Sequence, residues 1–236
     1  MAEVLFYQSV TPLNREEHKH LCLKPYDNDY SFARTTPIVP LAATEFFNAS
    51  RYYPVLFSGN DQSLAPVAIL GYTEKNNLFI NDANQWQENT YIPAFIRRYP
   101  FILANSADNS QMTLCLDPQW KGFNEEGEGQ ALFNEEGEEA DYLKKVLAFV
   151  QSFHQDMQRT QPFVQRLQEL KLLDKRDLQV HRADGSHFLL KDFRIINEET
   201  FRQLDDATLL EFHKQGWLPW VYAHLLSLSN LQTLGR

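Results

Sequence analysis

Thr90-Tyr-Ile-Pro-Ala-Phe-Ile-Arg-Arg-Tyr-Pro-Phe-Ile-Leu-Ala104 decides the fold, because a short helical run in it reaches Tyr99-Pro100 and passes straight into an apolar strand. Proline has no N–H to give to a helix ladder and pushes the residue before it out of the α region, so the helix ends at Tyr99. The same plan occurs earlier, where Pro40-Leu-Ala-Ala-Thr-Glu-Phe-Phe-Asn-Ala-Ser-Arg-Tyr-Tyr53-Pro54 runs into Val55-Leu-Phe57, and Arg51 and Arg97 each stand two residues before the tyrosine of the Tyr-Pro pair. We therefore expect two equivalent helix-to-strand junctions, each followed by a strand buried on both faces. Equivalent placement puts Arg51 and Arg97 at one sheet end, where guanidinium forks can clamp a carboxylate or phosphate. Ordinary ion pairs with nearby carboxylates are the competing reading. Arg51, Arg97, Arg98, Tyr53 and Tyr99 are the ligand-binding candidates.

Working outward, Pro66-Val-Ala-Ile-Leu-Gly-Tyr72 and Leu78-Phe-Ile-Asn81 read as a hairpin across Glu74-Lys-Asn-Asn77. Met112-Thr-Leu-Cys-Leu-Asp117 follows Phe101-Ile-Leu103 as an antiparallel neighbour. His18-Lys-His-Leu-Cys-Leu-Lys24 alternates, so as a strand it would bury Leu21 and Leu23 and align His18, His20 and Cys22 on its other face. That face suits a metal only if ligands arrive from elsewhere, and no matching cluster stands out.

The hexapeptide Phe-Asn-Glu-Glu-Gly-Glu occurs at 123 and again at 133, and this window holds seven glutamates, without which the net charge of −9 becomes −2. The acidity is local, and the ligand spacing of a Ca²⁺ loop is missing, so a solvated acidic loop near 121–138 is expected. After it, Leu143, Val146, Leu147, Val150, Phe153, His154 and Met157 share one helical face, with His154 read as a packed edge residue. Pro162 is expected to start a second helix through Phe163, Leu167 and Leu170. Asp184-Gly185 between alternating runs is a strong hairpin signal. Asn197 and Asp205 or Asp206 are positioned as N-caps, Gly216 as a left-handed stop, and Pro219 as the opening of a last helix carrying Val221, His224, Leu225 and Leu228. Trp217, Trp220 and Tyr222 gather there as partner-docking candidates, in competition with a role in the core.

The chain has 236 residues, of which 43% are hydrophobic and 13% aromatic, with 17 Phe, enough for a sizeable core. Its negative charge argues against a nucleic-acid partner, which is held mainly by Lys and Arg against phosphate. No window approaches the length of a membrane span, and the first residues lack a basic-then-apolar leader, so a cytoplasmic protein is expected. Cys22 and Cys115 are too few for a disulfide framework.

The order of Tyr30-Ser-Phe-Ala33, Thr44-Glu-Phe-Phe47, Tyr53-Pro-Val-Leu-Phe57, Ile92-Pro-Ala-Phe-Ile-Arg-Arg-Tyr-Pro-Phe101, Leu132-Phe-Asn-Glu-Glu-Gly137 and the closing His213-Lys-Gln-Gly-Trp-Leu-Pro-Trp-Val-Tyr-Ala-His-Leu-Leu-Ser-Leu228 resembles the bacterial SapC-like family over nearly the whole chain. That resemblance implies a single SapC-like domain over 1–236. It also implies a link by name to a paracrystalline surface layer, and accessory work beside tryptophan-halogenase-like and cupin-like proteins. It brings no catalytic residues.

The expectation is an α+β protein: mostly antiparallel sheet in the first half, amphipathic helices, a β-hairpin and terminal helices in the second. No nucleophile motif and no phosphate loop such as G-x-x-x-x-G-K-[ST] is present. A cytoplasmic binding or accessory protein is therefore the leading function, with another protein or a small molecule as partner and no cofactor named. The alternatives are a metal-assisted enzyme drawing on His18, His20, His213 or His224 with a carboxylate, and a surface-layer structural subunit.

Overall fold

The computed structural model of the protein describes residues 5–24, 28–73, 76–105, 112–181, 187–232 and 234. The strands are β1 (Thr11–Pro12), β2 (Cys22–Leu23), β3 (Ile38–Pro40), β4 (Val55–Ser58), β5 (Ala65–Ile69), β6 (Phe101–Asn105), β7 (Met112–Leu116), β8 (Phe123–Asn124), β9 (Gln130–Ala131), β10 (Leu173–His181) and β11 (His187–Ile196). The α-helices are α1 (Phe46–Ala49), α2 (Ala94–Arg97), α3 (Asp141–Glu169), α4 (Glu198–Arg202), α5 (Asp206–Lys214) and α6 (Leu218–Ser227). The strand pairings are antiparallel, and the longer helices lie in the C-terminal half, so the fold is α+β.

The chain gathers into two compact units, Met1–Phe32 with Ala94–Gln155, and Ala33–Pro93 with Asp156–Arg236. The first holds the sheets β1-β7-β6 and β8-β2-β9, over a core of Leu23, Phe101, Leu116, Leu132, Phe133, Leu143 and Val150. The second is built on the sheet β10-β11-β4-β5-β3, with Leu56, Val67, Ile69, Val180, Leu190 and Phe193 in one buried cluster.

Each unit contains one Tyr-Pro junction. Helix α1 closes with the Tyr53 N–H on the Ala49 carbonyl, and β4 begins two residues on, at Val55. Helix α2 closes with the Tyr99 N–H on the Ile96 carbonyl, and β6 begins at Phe101. The proline carbonyls are equivalent as well: Pro54 accepts from Ile69 N–H and Pro100 from Asp117 N–H, both at 3.0 Å, each donor lying at or just past the end of the next strand. The Tyr99–Pro100 peptide is cis. Val55, Leu56 and Phe57 are fully buried, whereas β6 buries Phe101 and leaves Ile102, Leu103 and Ala104 half-buried.

Helix signals acted as their chemistry dictates. Asn197 accepts from Thr200 N–H to cap α4, and Asp205 accepts from Thr208 N–H to cap α5. Gly216 takes φ +72 between α5 and α6. The predicted face of α3 is buried or half-buried at Leu143, Val146, Leu147, Val150, Phe153, His154 and Met157.

Four local expectations are corrected. His18 to His20 form turns rather than a strand, because His18 Nδ1 meets the Asn14 backbone and folds the segment back on itself; only Cys22 and Leu23 extend. Leu78–Asn81 is not a second hairpin strand. Asn77 turns its side chain onto the Ala33 carbonyl and the Phe79 N–H, and Leu78 returns a single hydrogen bond to Leu70. Pro162 does not start a new helix: α3 runs through it. The interior proline costs about 3 kcal/mol. Pro162 faces outward while Phe163, Val164 and Leu167 are buried beside it, and full burial of each such side chain contributes about 1.5–3 kcal/mol, which more than offsets that cost.

The acidic window, finally, is not merely solvated. β8 and β9 inside it flank β2, and Leu132 and Phe133 enter the core. Gly129 at φ +94 lets the chain pass so close to Leu23 that a Cβ there would stand 2.3 Å from the Leu23 carbonyl oxygen. The turn residues Glu74 and Lys75, the loop 106–111 and the Asp184-Gly185 turn lie outside the described residues; β10 and β11 pair as predicted on either side of the last.

Candidate functional site

In the first unit the residues before α1 and after β7 surround Tyr99. The Tyr99 ring is stacked on Phe32 at 4.3 Å and 27° and meets Tyr7 edge-on at 5.2 Å. Phe6 packs against Phe32, Phe95 and Tyr99 from a left-handed backbone at φ 81, a conformation that a bulky residue holds only where its surroundings demand it.

Asp117, one residue past β7, lies beneath this cluster with no exposure. A carboxylate taken from water needs donors, and it has three: Gln8 N–H at 2.9 Å and Tyr99 Oη at 3.1 Å on Oδ2, and Gln119 N–H at 3.2 Å on Oδ1. Burial, reinforced by Asp117, raises the pKa of Tyr99 and keeps the phenol protonated as a donor. Tyr7 is raised too, mainly by burial, and its hydroxyl donates to the Phe101 carbonyl at 2.7 Å.

Phe32 and Tyr99 of this cluster, with Trp120, form the aromatic side of a cavity of about 220 Å³, with Gln8, Asp29 and Lys121 among its polar groups. The Asp117 turn places Trp120, whose N–H donates to the Asp117 carbonyl. The indole then lies over Gly122, where a Cβ would stand only 2.1 Å away. Asp29 is turned inward on its own chain by accepting from Ser31 N–H. The arrangement can stack a flat molecule and hydrogen-bond its edges.

A larger cavity of about 270 Å³ lies in the second unit between the Asp61–Pro66 turn and the glutamine-bearing face of α3. It has no aromatic wall, and Gln168 is already committed to the Asp61 carbonyl.

The sequence candidates fall at separate places. Arg51 and Arg97 do not share a sheet end, because β4 and β6 belong to different sheets; Arg51 lies over Tyr52, and Arg97 over Phe149. Arg98 is half-buried over Phe95 and Phe153. Tyr53 is fully buried, and its hydroxyl donates to the Tyr91 carbonyl. Tyr99 alone of the five lines the cavity.

At the start of α6, Trp217 is buried against Phe163 and Phe212; within the helix Trp220 packs edge-on to Phe163 at 5.3 Å, while Tyr222 is 60% exposed. The buried face of α6 is Val221, Ala223, His224 and Ser227; Leu225, expected among them, is only half-buried.

Among the metal candidates, His18 is bound to its own turn and His20 and His213 are exposed. His224 is fully buried, its Nε2 accepting from Ile196 N–H at 3.0 Å while its Nδ1 has no hydrogen-bond partner. Among the described residues no three His, Cys, Asp or Glu side chains gather to hold a metal ion, and no helix is long and apolar enough to cross a membrane.

The sequence reading missed Asp117, Gln8, Asp29, Phe32, Trp120 and Lys121. One signal was present: an acidic residue closing an apolar strand before Pro118, where a turn needs a carboxylate to cap its amides.

The two units make an α+β protein whose first unit carries this aromatic-walled cavity. The chain belongs to the SapC family, whose model matches residues 13–234. No curated protein and no solved structure matches it.

Proposed function

We propose that this SapC-family chain is a cytoplasmic binding or accessory protein that takes a small planar molecule into the Tyr99 cavity. One observation carries the reading: Asp117 is buried without a cationic partner among the described residues and fixes Tyr99 and the Gln119–Trp120 turn, so the walls are set before any ligand arrives. Pre-set walls reduce the ordering cost of binding. At about 220 Å³ the space is below the ~300–1,000 Å³ of drug-sized sites, which points to a molecule of about one ring. The free, buried Cys22 and Cys115 accord with a reducing compartment.

The test is fluorescence titration of the whole protein with a panel of single-ring acids, amines and amides, beside Trp120→Phe and Tyr99→Ala. A saturable change in the wild type that both variants lose is expected; saturation unaltered in both removes the cavity from the reading. Metal content and oligomeric state measured on the same preparation separate the alternatives. Stoichiometric zinc or iron supports a metal-assisted enzyme, and salt-dependent sheets support a lattice subunit.

A further inference from the structure

Arg34, Arg159, Arg166, Arg176, Arg194 and Arg202 each stand within ion-pairing distance of a carboxylate, as guanidinium groups ordinarily do. Arg98 does not. Its guanidinium carbon lies 4.0 Å from the Phe95 ring centroid and 5.4 Å from that of Phe153, and its Nε is enclosed without a hydrogen-bond partner. Among the described residues no oxygen accepts from its side chain, although the residue is half-buried and its Nε is shut off from water. The rings favour the cation through their faces, but a ring face does not replace the oxygen acceptors that the N–H groups lose on leaving water.

The absence of a partner has a local cause. Asp117, a fully buried carboxylate of the same unit, has its oxygens occupied by Gln8, Tyr99 and Gln119, and Tyr7, which acts on Arg98 electrostatically, spends its hydroxyl on the Phe101 carbonyl. Arg98 itself is fixed at the end of α2, where its N–H closes the helix on Ala94 and its carbonyl accepts from Phe101 N–H at 2.7 Å. A planar guanidinium fork, held by two rings with its Nε enclosed, thus has no counter-charge among the described residues.

We propose that Arg98 is an anion-binding residue whose partner is a small oxyanion, a carboxylate or phosphate group, received by the guanidinium fork held over Phe95 and Phe153. Arg98 does not line the Tyr99 cavity, so an oxyanion on Arg98 and a ring in the cavity can each fail without the other.

The experiment follows the Arg98 Nε–Hε signal of the full-length protein by NMR during addition of sodium phosphate, sodium acetate or, at matched ionic strength, sodium chloride. Arg98→Lys and Arg98→Gln run in parallel, read by calorimetry. A saturable shift with an oxyanion and none with chloride is expected, with affinity weakened about tenfold or more in Arg98→Lys, which keeps the charge but loses the bidentate fork. Stronger binding of phosphate assigns a phosphoryl ligand, and stronger binding of acetate a carboxylate. The proposal is overturned if the signal follows ionic strength alone, or if Arg98→Gln binds the oxyanion as the wild type does. Should Arg98→Gln fail to fold, the wild-type comparison of oxyanion with chloride still decides.

Discussion

Acid should weaken this protein through His224 more than through any other histidine. The imidazole is fully buried between α6 and the five-stranded sheet, with Nε2 accepting from Ile196 N–H, and burial pulls its pKa from 6.5 to about 3, against a smaller opposing effect of the Val55 carbonyl. Below pH 6.5 the unfolded chain takes up a proton at this ring and the folded chain does not, so stability falls as pH falls, until the folded pKa is reached. With those two values, the loss is about 1.4 kcal/mol at about pH 5.5 and about 2.7 kcal/mol at about pH 4.5.

Carboxylates add their own pH dependence, so the reading must be differential. Urea unfolding of the wild type and of His224→Gln, whose amide oxygen can still accept from Ile196, is measured from about pH 7.5 to 4.5. The free-energy difference between them should shift by about 2–3 kcal/mol in favour of the variant across that range. Parallel curves would show that the folded protein protonates His224 freely, and the reading of its ring as shut off from water would be wrong.

The remaining predictions concern packing. Asn230→Ala removes the amide that donates to the Ser50 and Tyr53 carbonyls at 2.7 and 3.0 Å, and should cost about 1–3 kcal/mol in chemical unfolding; a loss under half a kilocalorie would mean that water replaces it. Leu132→Ala should cost about 2–5 kcal/mol, and deleting 125–136 should broaden or abolish cooperative thermal unfolding, because the segment holds two core residues; an unchanged melt would restore the solvated-loop reading. Gly129→Ala should destabilise by more than about 1 kcal/mol in the same assay, since neither its φ nor the Leu23 carbonyl leaves room for a methyl group. Trp220→Ala should lower the melting temperature through lost contact with Phe163, while Tyr222→Ala, more exposed, should leave it nearly unchanged; the reverse order would place Trp220 at the surface.

What the sequence determined by itself was local. A proline ends a helix because it lacks a donor, and both Tyr-Pro junctions followed. Asn197 and Asp205 cap because their side chains reach amides three residues on, and the apolar stripe of α3 is fixed by helical period. Tertiary structure decided wherever the outcome depended on a partner distant in the chain. Pro162 reads as a helix start until the burial of Phe163 and Leu167 outweighs one missing rung, and the glutamate window reads as solvent until Leu132 and Phe133 meet Leu23 in the core. Arg51 and Arg97 share a local motif, but the motif cannot say that β4 and β6 join different sheets. The Tyr99 cavity was hidden for the same reason. Asp117 is held by Gln8, 109 residues earlier, and by Tyr99, 18 residues earlier, and a carboxylate's burial is set by which chain segments close over it, which no spacing of neighbours records.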